Sequence, residues 1–255
     1  MSVKKVIPCL DCDLSSGRIS LVKGIEFRNV KAVGNPVEKT EEYCRQGADE
    51  LVVLDINATI EGRKTRAEAV RKIAAACTVP LTVGGGIRTV EEARELLEAG
   101  ANKIGVNSAA VEKPELIREL SSGLGKETVV SAIDGKKVGG KWNVFTNAGT
   151  KDTGLDAAEW AKRVEALGAG SILLTSIDCD GCEDGYDIPL TRAVSEAVNI
   201  PVIASGGAGS LKDMRLVLEE GKASAVLGAS VFHYGKFTVR QVKEYLKEKG
   251  VEVIL

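Results

Sequence analysis

A chain of 255 residues with 44% hydrophobic residues, 4% aromatics and 28 glycines has the profile of an aliphatic α/β protein with a full core, which excludes a disordered or fibrous chain. Its formal net charge of −2 offers no global basic field for nucleic acid or a membrane surface, so any anion site must be local. No apolar run reaches the length of a membrane span, and Met1-Ser2-Val3-Lys4-Lys5 leads straight into a strand pattern without a secretory or transit signature, so the expected compartment is the cytoplasm.

In chain order, apolar β-branched runs fall near 5–11, 50–56, 79–84, 102–107, 128–134, 171–177, 200–205 and 224–229. They are apolar throughout rather than alternating, as parallel strands covered on both faces should be. Amphipathic helices separate them. Val90, Ala93 and Leu97 share one helical face, as do Ala157, Trp160, Ala161, Val164 and Leu167, and then Val239, Val242 and Leu246. Gly47, Gly100, Gly168, Gly221 and Gly250 mark helix ends. Eight βα units in one chain, with no linker between them, predict a single α/β domain over 1–255, a (β/α)8 TIM barrel. A doubly wound open sheet is the alternative.

A repeat at half the length favours closure. Asp11 and Asp134 each end a strand and lie 123 residues apart. The turn Gly84-Gly85-Gly86 answers to Gly206-Gly207, and Asn107-Ser108 to Ala229-Ser230, at nearly the same separation. Half-barrel repeats are therefore expected at about 1–123 and 124–255. In a barrel the strand ends form the catalytic face, so Asp11 and Asp134 read as functional rather than as caps or solvated loop residues. Glycines followed by a helix start, with Thr89 as N-cap, let backbone amides approach an anion. Two such cradles at symmetric positions predict a ligand with a phosphate at each end, and the two carboxylates near its middle fit acid/base chemistry.

Other candidates are weaker. The single histidine, His233, makes a Ser-His-Asp triad or a His-rich metal site improbable and reads as a loop or helix-start residue. Lys23 could reach over the mouth from a loop or simply be solvated. Cys9/Cys12 and Cys179/Cys182 have C-x2-C spacing, which invites zinc, but Cys9 lies inside an apolar strand as a small hydrophobe would. Cys44 and Cys77 read as helix packing.

Ile7-Pro8-Cys9-Leu10-Asp11, Val22-Lys23-Gly24, Thr82-Val83-Gly84-Gly85-Gly86-Ile87, Asn107-Ser108-Ala109, Ala132-Ile133-Asp134, Asp180-Gly181, Gly185-Tyr186-Asp187 and Ser205-Gly206-Gly207-Ala208-Gly209 together give a specific likeness. Over nearly its whole length the chain resembles the cyclase subunits of imidazole glycerol phosphate synthase, a lyase of histidine biosynthesis. The resemblance implies attack of ammonia on a ribulosyl bisphosphate nucleotide, then ring closure and cleavage. The products would be imidazole glycerol phosphate and an aminoimidazole carboxamide ribotide. It implies Asp11 and Asp134 as the acid/base pair. Gly86, Asn107 and Ser108 would form one phosphate site, and Gly181, Gly207, Ala229 and Ser230 the other. Lys23, Asp55 and Asp180 would be further substrate contacts. No metal or organic cofactor is implied. A glutaminase subunit would dock on the N-terminal face and send ammonia past a ring of charges at Lys5, Glu50 and Lys103.

The chain departs from that pattern at Ser171 and Asn102, where the family usually has Glu and Asp, so looser or differently gated coupling to the glutaminase is expected. The first loop, between Cys12 and Val22, is about four residues longer than usual and is the candidate lid. Cys179 and Cys182 also replace a usual Arg and a usual hydroxyl residue. The rivals are the preceding isomerase of the same pathway, a paralogue acting on an aminosugar nucleotide, and a barrel that binds phosphates without catalysis.

Overall fold

The structure, a computed structural model, describes residues 3–15, 19–25 and 28–255, and within 23–31 the backbone alone. The Lys23 side chain and positions 16–18 of the candidate lid lie outside the described residues. In chain order the elements are β1 (Lys5–Asp13), β2 (Ser20–Ile25), β3 (Arg28–Gly34), α1 (Pro36–Arg45), β4 (Leu51–Asp55), α2 (Ala67–Ala75), β5 (Leu81–Gly84), α3 (Val90–Glu98), β6 (Lys103–Val106), α4 (Ser108–Glu112) and α5 (Glu115–Leu124). They continue with β7 (Val129–Val138), β8 (Lys141–Thr146), β9 (Lys151–Asp156), α6 (Ala157–Leu167), β10 (Ser171–Ser176), α7 (Ile188–Ala197), β11 (Val202–Ser205), α8 (Leu211–Glu219), β12 (Ala225–Gly228), α9 (Ser230–His233) and α10 (Val239–Glu248).

Eight strands pair in parallel in the order β1-β4-β5-β6-β7-β10-β11-β12, and β12 returns to β1, so the sheet closes as a (β/α)8 barrel. These are the eight runs read from the sequence. Four further strands are antiparallel and were not anticipated. The β2–β3 hairpin pairs with the end of β1, and the β8–β9 hairpin pairs with the end of β7. Each half of the ring thus carries the same extension on its first strand.

Strand alternation divides the interior into two compartments. Val6, Leu10 and Cys12 point outward into the large core between strands and helices. Ile7 and Cys9 point inward, where they meet Val52, Val130, Leu173, Ile203 and Leu227 in a smaller core that fills the barrel. Cys9 and Cys12 therefore face opposite sides of β1, and their spacing does not bring the two thiols together.

Helix ends follow the sequence signals in most places. Thr89 caps α3 by accepting from Glu92 N, and Gly168 closes α6 in the left-handed conformation. Gly221 differs. The left-handed residue after α8 is Lys222, and Gly221 is required instead by crowding, since a Cβ there would sit 2.5 Å from the Val217 carbonyl oxygen. His233 also differs. It closes α9 rather than opening a helix, and its Nδ1 lies 2.6 Å from the hydroxyl of fully buried Tyr43 in α1.

Candidate active site

The inward alternation that fills the barrel also delivers its functional groups. On β1 the same side carries Lys5, Ile7, Cys9 and Asp11, and on β7 it carries Val130, Ala132 and Asp134. Asp11 and Asp134 consequently line one cavity of about 290 Å³ at the C-terminal mouth. The Cys9 thiol donates to Asp11 Oδ1 at 3.6 Å. Asp134 Oδ2 accepts from Asn107 Nδ2 at 2.9 Å. Burial pushes the Asp134 carboxyl up to about 7; the negative charge of Asp180 adds to the rise, and the Asn107 hydrogen bond opposes it.

The two glycine turns flank these carboxylates. Gly85 and Gly86 follow β5, and Gly206 and Gly207 follow β11, all with positive φ. A Cβ on Gly86 would lie 2.5 Å from the Arg63 carbonyl oxygen, and one on Gly207 would lie 2.0 Å from that of Gly185. Only glycine fits either turn, because each is pressed against the backbone of the preceding βα loop. Asn107 and Ala229 precede α4 and α9 with matching backbone angles, φ −129 and ψ −89 against φ −120 and ψ −75. Neither helix start is capped by a side chain, and Asn107, Ser108, Ala229 and Ser230 all line the cavity. Gly86, Asn107 and Ser108 thus gather on one side, and Gly181, Gly207, Ala229 and Ser230 on the other.

The loops that support the two cradles are held differently. Asp55, at the end of β4, lines the cavity, but both its oxygens are held by Arg63 at 2.6 and 2.9 Å. That carboxylate is fully buried, and the pair fastens the loop between β4 and α2. Thr65 in the same loop donates to the Gly85 carbonyl at 2.6 Å. In the second half, Gly185 N donates to the Gly207 carbonyl at 2.9 Å, and Asp178 accepts from Lys137 N at 2.8 Å, tying the loop to β7. Asp180 in that loop also lines the cavity.

Sequence reasoning missed three contributors. Arg63 carried no motif, although an arginine eight residues after a strand-end aspartate has the reach to pair with it. Asn147 and Ala148, at the tip of the β8–β9 hairpin, line the cavity with φ of 53 and 52, and Asn147 N donates to the Ser108 hydroxyl oxygen at 3.0 Å. The turn Asn147-Ala148-Gly149 was the available signal.

At the other end of the barrel, Glu50 is buried and bridged by Lys5 and Lys103. Burial alone would raise the Glu50 carboxyl, but bonds from Lys103 and Lys5 outweigh it and hold it below its usual value. Ser171 is buried at the foot of β10, and Asn102 accepts from Leu81 N at 2.8 Å. Among the described residues no three His, Cys, Asp or Glu side chains are grouped to hold a metal ion.

Residues 5–238 match the family described as histidine biosynthesis protein. The chain belongs to that family. This family member is 54% identical over 257 residues to the imidazole glycerol phosphate synthase subunit HisF of Clostridium botulinum, covering all of both chains. It is also 54% identical over 252 residues to the subunit of the same name from Dehalococcoides mccartyi, covering 99% of this chain and 98% of the relative. The architecture is α/β throughout, and among the described residues no helix is long and apolar enough to cross a membrane.

Proposed function

We propose that Asp11 and Asp134 perform the cyclase reaction of imidazole glycerol phosphate synthase as a general acid/base pair. The chain is a cyclase of this kind, a lyase in which ammonia enters a ribulosyl bisphosphate nucleotide and ring closure with cleavage follows. The observation that carries the residue assignment is the placing of both carboxylates in one cavity between two matching glycine cradles. One phosphate would bind the amides at Gly86, Asn107 and Ser108, and the other those at Gly181, Gly207, Ala229 and Ser230. The substrate then spans the mouth with its reacting carbons between Asp11 and Asp134. Asp134, with its pKa near 7, exists in both protonation states at neutral pH. It can hand a proton to the departing nitrogen while Asp11 takes one from the attacking ammonia. Asp55 and Arg63 hold one phosphate loop, and Asp180 tunes Asp134. The two halves, about 1–123 and 124–255, work as one domain.

The proposed partner is a glutaminase subunit on the N-terminal face, where Lys5, Glu50 and Lys103 would surround ammonia as it enters. Ser171 leaves Glu50 as the acidic member of this cluster among the described residues, so the gate should open on different terms from a balanced ring. Comparing turnover on ammonium with turnover on glutamine plus partner tests this, and equal, tight coupling would sink it.

The function itself is tested by incubating the purified chain with an ammonium salt and the ribulosyl bisphosphate nucleotide. The imidazole product is expected. Isomerisation without uptake of ammonia would instead favour the isomerase reading.

A further inference from the structure

Three cysteine pairs lie close in sequence or space, and their geometries differ. Cys9 and Cys12 face opposite sides of β1. The Cys182 thiol turns to the carbonyls of Asp178 and Asp180, at 3.7 and 3.9 Å. Cys44 and Cys77, 33 positions apart, are brought together only by the fold. Cys44 sits in the last turn of α1, and Cys77 lies two residues beyond the end of α2. Thr78 N, in the peptide unit that follows Cys77, donates to the Cys44 sulfur at 3.4 Å. Burial pushes the Cys77 thiol up to about 11, and the neighbouring Cys44 thiol adds to the rise. The Cys77 thiol further reaches the Val79 carbonyl at 3.1 Å. Both side chains are half-buried against the main core, open to a small oxidant, and neither lines the catalytic cavity.

We propose that Cys44 and Cys77 form a reversible disulfide site that staples α1 to the end of α2 at the N-terminal side of the barrel. The oxidant is hydrogen peroxide. One S–S bond forms, two S–H bonds and the O–O bond break, and the two electrons and two protons released by the thiols leave with the oxygen atoms as two waters. A dithiol returns the pair by exchange. The product is neutral, so burial that disfavours the Cys77 thiolate does not disfavour the disulfide. The closed loop holds β4 and, within it, Asp55 and Arg63, so the link restrains the unfolded chain around a segment that supports the first cradle.

The full-length chain is treated with hydrogen peroxide under native conditions, alkylated, digested and analysed by mass spectrometry beside thermal unfolding. A Cys44–Cys77 linked peptide, two hydrogens lighter than the reduced pair, is expected, with Tm raised by roughly 5–10 °C and restored by dithiothreitol. Cys44→Ser and Cys77→Ser, each an exchange at a half-buried site, should both remove the shift while Cys182→Ser keeps it. A link between other cysteines, no link, a link without a rise in Tm, or a rise that persists in Cys77→Ser overturns the proposal. Cyclase turnover is not the readout, so failure here leaves the proposed reaction untouched.

Discussion

The two halves of the ring follow one plan and fasten it by different means. In the first half, the loop beneath the glycine turn is anchored by a buried ion pair, Asp55 with Arg63. In the second half the equivalent loop has no buried ion pair among the described residues: Gly185 N donates to the Gly207 carbonyl, the buried Tyr186 hydroxyl donates to the Leu227 carbonyl, and Glu183–Lys236 and Asp178 make their contacts nearer the surface. The carboxylates differ in the same way. Asp11 has a thiol for a neighbour, whereas Asp134 is buried beside another carboxylate and its pKa is raised to about 7. Repetition of the backbone fixes where two acids stand. The side chains around each then decide which protons it can carry.

The largest effect should come from removing either acid. Asp11→Asn and Asp134→Asn should each lower turnover about 10²–10⁴-fold while bisphosphate binding by calorimetry stays close to normal. If one variant keeps full turnover, the halves do not share the chemistry. Next in size is the anchor. Arg63→Ala leaves the Asp55 carboxylate buried without its partner and should cost about 3–5 kcal/mol in urea unfolding, against less than about 1 kcal/mol for Asp178→Ala. Equal losses would erase the difference in fastening.

Asp134→Asn should also stabilise the fold. With the folded pKa raised from 3.8 to about 7, the native state binds this proton more tightly than the unfolded chain. Its contribution is complete below the unfolded value and is lost as pH rises through about 7. The variant should therefore gain about 1–3 kcal/mol at pH 8 and little at pH 4, measured by unfolding at both. The smallest effect is on pH dependence. Asp180→Asn should lower the ionisation near 7 in the turnover profile, and Asn107→Ala should move it up. An unmoved profile would separate Asp180 from Asp134.

Much of this was legible in the residues because burial on both faces leaves a plain record. The eight barrel strands have apolar, β-branched middles with polar groups kept mainly to their ends, and such runs are hard to mistake for loops. The hairpins were hidden for the opposite reason. Strand β9 reads Lys151-Asp152-Thr153-Gly154-Leu155-Asp156 and is half exposed, so its composition resembles a loop. Paired carboxylates and glycine turns were visible through the repeat. The Asp55–Arg63 bond was not, since an ion pair between a strand end and a loop leaves no periodic mark. The link from Asn107 to Asp134 was equally silent, because it joins neighbouring strands of the closed ring rather than neighbours in sequence. At Gly221 the residue was noticed for the wrong reason: close approach, not handedness, demands it.

Alternation along β1 has a consequence for how such a chain can change length. Lys5 and Asp11 lie on one column, six steps and about 20 Å apart, at opposite ends of the barrel. Deleting one residue between them reverses the parity of every position on one side of the cut. If Asp11 kept its place, Lys5 would turn into the helix layer and Val6 would take the interior. A two-residue deletion would preserve parity but draw the ends together by about 7 Å. Indels in this strand are thus graded by whether they are odd or even before they are graded by size, and the two ends of the molecule must be inherited in phase.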